Sequence, residues 1–97
     1  MPTASTQASA AELQRHLAEI TGHGHARVRP YGKHLLIQMH RDDVADTVAR
    51  LTEVGHNTYT AAFRSHTGRS EPLPIPAADL QRTATSVAAL LAPYLEL

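Results

Sequence analysis

Residues 41–55, RDDVADTVARLTEVG, support two readings, and the number of strands in the fold depends on which one holds. Read as a helix, the stretch has Asp42 or Asp43 as its cap. Val44, Val48 and Leu51 then recur at helical spacing, Asp46 and Arg50 pair at i, i+4, and Gly55 ends the element. Read as a strand, the β-branched density of TVARLTEV suits a pleated surface, and Gly-His-Asn turns the chain into a further strand. Both readings satisfy the local rules, so the sheet has four strands or five.

On the N-terminal side lies HARVRPYGKHLLIQMH, residues 25–40, which reads as a β-hairpin. Opposed residues of an antiparallel pair share a face. An even-length loop, Tyr31-Gly32 or Pro30 to Lys33, pairs Arg29 with His34, Arg27 with Leu36 and His25 with Gln38. It also sends Ala26, Val28, Leu35, Ile37 and Met39 to the core. An odd loop would mix Arg27 with Leu35 on one face. The even loop is therefore expected, with Gly32 supplying the positive φ of the turn. The opposite face then carries His25, Arg27, Arg29, His34, Leu36, Gln38 and His40.

Upstream, SAAELQRHLAEITG reads as a helix over about 10–21, with Ser9 as N-cap, Glu12 as its capping-box partner and Gly22 just beyond the end. Leu13, Leu17 and Ile20 make its apolar stripe. Residues 1–8 are small and polar and are expected to form a disordered lead to a single domain spanning 9–97. Downstream, TYTAAFR is a strand with Tyr59, Ala61 and Phe63 on one face, SHTGRS is a turn, and EPLPI is a short strand with Leu73 and Ile75 inward. Pro72 and Pro74 have the same parity, which an edge strand tolerates. In PAADLQRTATSVAALLAPYLEL, Pro76 suits a first helical turn, Leu80, Ala84, Val87, Leu91 and Tyr94 form a stripe, and Pro93 ends the helix. The expected class is α+β: an antiparallel sheet of four or five strands, with an N-terminal and a C-terminal helix packed on one face.

The 97 residues suit one domain. The absence of cysteine excludes disulfides and thiolate metal sites. Nine Lys and Arg balance nine Asp and Glu, so the chain lacks the excess positive charge of a DNA-coating protein. Charge is nevertheless segregated: residues 22–41 hold Arg27, Arg29, Lys33 and Arg41 and no carboxylate. No apolar run reaches a membrane span, and the N-terminus has neither a basic nor an apolar signal region, so a cytoplasmic location is expected.

Three kinds of chemistry follow from these residues. The first is a surface for nucleic acid or another polyanion, formed by Arg27, Arg29, Lys33 and His34 on the first hairpin and by Arg64 and Arg69 on the second. Guanidinium and imidazolium groups hold phosphate through charge-assisted hydrogen bonds. Tyr31 is the one ring placed to stack on a base. The second is a metal site: a first strand extended back through Gly24 would bring His23, His25 and His40 together. The flexible glycines and the lack of an orienting carboxylate argue against it, so neither a metal nor another cofactor is expected. The third is catalysis. The chain has no nucleophile elbow, phosphate-binding loop, cysteine nucleophile or dinucleotide fingerprint, and HRD at 40–42 stands without the rest of a kinase. The expectation is a non-enzymatic binding domain that uses the His/Arg face. The alternative is a protein-interaction or regulatory module, with a homodimer through the last helix, the sheet face or the sheet edge as one form of it.

Overall fold

The computed structural model describes residues 4–41, 43–64 and 69–95. In chain order it contains α1 (Ala4–Thr21), β1 (Ala26–Tyr31), β2 (His34–Arg41), β3 (Val44–Gly55), β4 (Thr58–Arg64), β5 (Ser70–Pro72), α2 (Leu80–Leu90) and a 3₁₀ turn, η1 (Ala92–Leu95). The five strands form one sheet in the order β1-β2-β3-β4-β5, each antiparallel to its neighbours. The fold is α+β, and both helices pack on one face of the sheet. Leu13, Leu17, Leu80 and Val87 from the helices share a single core with Leu35, Ile37, Leu51 and Tyr59 from the strands. Among the described residues, no helix is long and apolar enough to cross a membrane.

The ambiguous stretch is a strand. β3 lies between β2 and β4, and Ala49 and Leu51 are fully buried on its helix-covered side. Its register against β2 shifts: Thr47 opposes Gln38, whereas Ala49 opposes Ile37, so Val48 is the extra residue of a β-bulge. The bulge reverses the parity of everything after it. Asp46 opposes the buried Met39, whereas Arg50 opposes Leu36 on the other face, so the two do not form the pair that a helix would have made. Asp42, a possible cap in the helical reading, lies outside the described residues.

The first hairpin has its expected faces but not its expected partners. Tyr31 opposes His34, Arg29 opposes Leu36 and Arg27 opposes Gln38, a shift of two residues around a Gly32-Lys33 loop. Gly32, with φ of 60°, takes the first loop position, where a two-residue turn of the II′ kind needs positive φ. Pro30 thereby enters β1 at its outer edge, where no N–H is required.

α1 starts earlier than the sequence suggests. Residues 4–8, expected in the lead, are helical, and no Gly or Pro interrupts 4–21; residues 1–3 of that lead lie outside the described residues. Ser9 is consequently not a cap. It sits within the helix, and its Oγ accepts a hydrogen bond from the Tyr59 hydroxyl at 3.1 Å. Ala10, Leu13 and Leu17 form the buried stripe, while Ile20 is largely exposed. Gly22 closes the helix with φ of 78° and donates its N–H to Ala18 O at 2.8 Å.

α2 begins at Leu80 rather than near Pro76. Asp79 caps it by accepting from the Arg82 N–H at 2.8 Å, an N-cap signal that the sequence reading passed over in favour of the proline. β5 is shorter than EPLPI, but it does form the sheet edge, with Leu73 and Ile75 packed against the core. The turn expected at SHTGRS lies, for residues 65–68, outside the described residues. Leu80, Ala84, Val87 and Leu91 are buried as the stripe requires. Tyr94 is half exposed in η1, with its ring centroid 5.0 Å from that of Phe63.

Candidate functional site

The helices leave the other face of the sheet uncovered. Register determines which side chains occupy it. One row runs Arg29, Leu36, Arg50, Ala62, Pro72 from β1 to β5. A second runs Tyr31, His34, Thr52, Thr60. Arg27, Gln38 and Thr47 form a third, and Arg64 stands opposite Ser70 at the far end. Arg27, Arg29, Tyr31 and Arg64 are exposed, while His34, Leu36, Gln38, Arg50, Thr52 and Thr60 are half-buried within the surface.

No described carboxylate shares this face. Glu12 and Glu19 lie on α1, Asp79 caps α2, and Asp43 occupies the β2–β3 turn. Asp46, Glu53 and Glu71 have the parity of the helix-covered side, opposite Met39, Tyr59 and Phe63. A chain of zero net charge therefore presents four arginines on one surface with no carboxylate among the described residues to neutralise them there.

Of the sequence-predicted site residues, Arg27, Arg29, His34 and Arg64 fall on the open face. Lys33 does not. It occupies the hairpin turn and lines a narrow crevice on the helix side with Thr6, Ser9, Leu35, Glu53 and Tyr59. Arg69 is exposed and precedes β5. The residue that sequence reasoning missed is Arg50, at the centre of the face. Its position depends on the strand reading of 41–55 and on the bulge at Val48, and neither has an unambiguous local signal.

Three side chains organise the centre of the surface. His34 Nδ1 lies 2.9 Å from Thr52 Oγ1, and Gln38 Nε2 donates to Thr47 Oγ1 at 3.2 Å, tying β2 to β3. Arg50 is diagonal to His34 across the same strands, and its Nε is buried without a hydrogen-bond partner. Burial holds the His34 imidazole below its ordinary pKa, and the nearby charges of Arg50 and Lys33 push it down further.

The metal arrangement requires a first strand that continues back to His23, but β1 begins at Ala26. His23 and His25 stack with ring centroids 4.4 Å apart, and His23 Nδ1 accepts the His25 N–H at 3.2 Å. His40 sits on β2 opposite Ala45. Among the described residues, no three His, Asp or Glu side chains gather as a metal-ligating group.

Each sheet edge has outward positions whose N–H is occupied or missing. Val28 N–H, on the outer edge of β1, donates to Gln14 Oε1 of α1 at 3.2 Å. Two residues on, Pro30 has no N–H to offer. Pro72 does the same for β5, while the next residue, Leu73, donates inward to Ala61 O at 3.0 Å. No family model, curated protein or solved structure matches the chain.

Proposed function

We propose that this protein is a non-enzymatic domain that binds nucleic acid by its phosphate backbone, on the open face of the sheet. The observation that carries the reading is the set Arg27, Arg29, Arg50 and Arg64 on an uncovered face with no described carboxylate. Phosphate contacts of this kind supply affinity that is independent of sequence and sensitive to salt. Among the described residues Tyr31 is the one Phe, Tyr or Trp on the face, so base stacking contributes little and sequence preference is weak. A cytoplasmic setting, where nucleic acid is an abundant polyanion, is part of the same proposal.

The competing reading, a protein partner or a second copy, draws less support. The edges are blunted against strand addition, and two copies docked through this face would bring arginines against arginines. The test is fluorescence anisotropy of labelled single-stranded and duplex oligonucleotides titrated over salt. The expected result is binding that weakens linearly in log–log form. Arg27→Ala combined with Arg29→Ala should weaken it about tenfold or more while the fold, read by circular dichroism, is retained. No binding by the parent protein at any salt, or unchanged binding by the double variant, overturns the proposal.

A further inference from the structure

Resting on that reading, we infer that Arg50, His34 and Thr52 form a phosphodiester seat at the centre of the open face, and that occupying it loads a proton onto His34. The geometry begins with Arg50. It lies between Leu36 on β2 and Ala62 on β4, so its guanidinium rises from the middle of the sheet rather than from an edge. Its Nε has no hydrogen-bond partner, and no described carboxylate shares its face. A half-buried guanidinium left in that state favours an incoming anion.

His34 is the neighbour that responds. It is joined to Thr52 Oγ1 at 2.9 Å, in the row adjoining Arg50, with Thr60 beyond Thr52. The ionisable groups around it come from three strands. β1 supplies Tyr31 opposite it and Arg29 on the diagonal, the turn supplies Lys33, and β3 supplies Arg50. Glu53 follows Thr52 but faces the helix side, where it lies 3.4 Å from the Tyr59 hydroxyl. Among the described residues, every fixed charge on the His34 side is therefore positive. With the face empty, partial burial, and after it the charges of Arg50 and Lys33, hold the imidazole below its ordinary pKa.

A phosphodiester beside Arg50 reverses that balance. It places a negative charge next to the ring and offers an acceptor to an imidazolium N–H. The proton comes from solvent, and no covalent bond changes. Thr52, freed from a neutral ring nitrogen or turned to donate its hydroxyl, can contribute a further hydrogen bond to the phosphate. The linkage is reciprocal: if phosphate raises the proton affinity of His34, acid raises the phosphate affinity of the seat by the same factor. A single proton can strengthen binding by at most about tenfold per pH unit.

The test uses the full chain and an oligothymidylate. Histidine side-chain NMR follows His34 through a pH titration with and without the oligonucleotide. The expected result is an upward shift of the His34 midpoint on binding, and a smaller upward shift in free Arg50→Gln, which loses one neighbouring cation. Calorimetry in two buffers of different ionisation enthalpy should show proton uptake near neutral pH that is reduced in His34→Gln. Should His34→Gln not fold, the titration of the parent decides alone. Oligonucleotide binding with an unmoved His34 midpoint overturns this inference and leaves the nucleic-acid reading standing, whereas no oligonucleotide binding overturns both.

Discussion

Gln14 on α1 accepts the backbone N–H of Val28 on β1 at 3.2 Å, so a helix side chain occupies a donor that a sheet edge would otherwise present to another chain. With Pro30 next along the same edge, β1 is closed to strand addition by two different means. In Gln14→Ala the N–H loses its partner, and a loss of about 1 kcal/mol in unfolding free energy is expected. For a domain of this size that lowers Tm by roughly 4–8 °C, measurable by calorimetry. Size-exclusion with light scattering should show the same species as the parent, because Pro30 still interrupts the edge. A new, larger species would show that Gln14 alone guards it.

The hairpin turn depends on Gly32. A Cβ there meets no atom within 4 Å, so crowding is not the obstacle. The obstacle is φ of 60°, which L-residues other than Asn and Asp avoid. Gly32→Ala is expected to cost about 1 kcal/mol, with Gly32→Asn costing less, in chemical denaturation at neutral pH. Equal stability of all three proteins would mean that the turn adjusts its backbone.

His34 should also give the domain a pH-dependent stability. Its pKa in the folded state lies below the unfolded value of 6.5. Between those two values the unfolded chain binds more protons, so acid favours unfolding there. The contribution is fully present above pH 6.5 and is lost as pH falls towards the folded pKa. Denaturant midpoints measured from pH 7.5 down to 5 should therefore decline through that window, and less steeply in His34→Gln. Parallel declines in the two proteins would place the effect on other histidines.

The bulge in β3 makes a sharper prediction. Val48 is the extra residue between the two registers, and it is buried. Deleting it would leave Thr47, Ala49, Arg50 and Leu51 on the faces they already occupy, because they would then pair one for one with Gln38, Ile37, Leu36 and Leu35. Cooperative unfolding is expected to survive the deletion, with Arg50 still on the open face and Leu51 still in the core, at the cost of one buried side chain and the local twist of the bulge. Val48→Ala, which keeps the register, should retain the fold and lose about 1–3 kcal/mol. A deletion that fails to fold would show that the bend of the bulge, and not only the phase it sets, is required.

That same bulge explains what could be read from residues 41–55 and what could not. Period-2 alternation is the mark of a half-buried strand, and one inserted residue breaks it. Val48 and Leu51 then fall three apart, which imitates a helix. The first hairpin had no such interruption, so its faces were legible, although its loop was not: shifting an even loop by two residues leaves every face unchanged. Ser9 and Glu12 matched a capping box, but an alanine-rich segment without a breaker carried the helix back to Ala4. At the second helix, Asp79 had the stronger cap chemistry and Pro76 the more conspicuous letter. On the candidate surface, Arg27, Arg29, His34 and Arg64 followed from strand parity alone. Arg50 required the bulge, and Lys33, which has the parity of Leu35 and Ile37, belongs to the helix-covered side in either register of the loop.

The separation of charge described above gives the described part of the molecule a positive and a more acidic side despite the zero net charge of the chain. Arg27, Arg29, Arg50 and Arg64 stand on the sheet side, while Glu12, Glu19, Glu53 and Asp79 stand towards the helices, partly offset there by Arg15, Lys33 and Arg82. Such a molecule does not drift in a uniform field but turns in it. Near a phosphate-rich strand it would arrive with its sheet already facing the target, so the encounter rate would depend on ionic strength even though the average charge does not favour attraction.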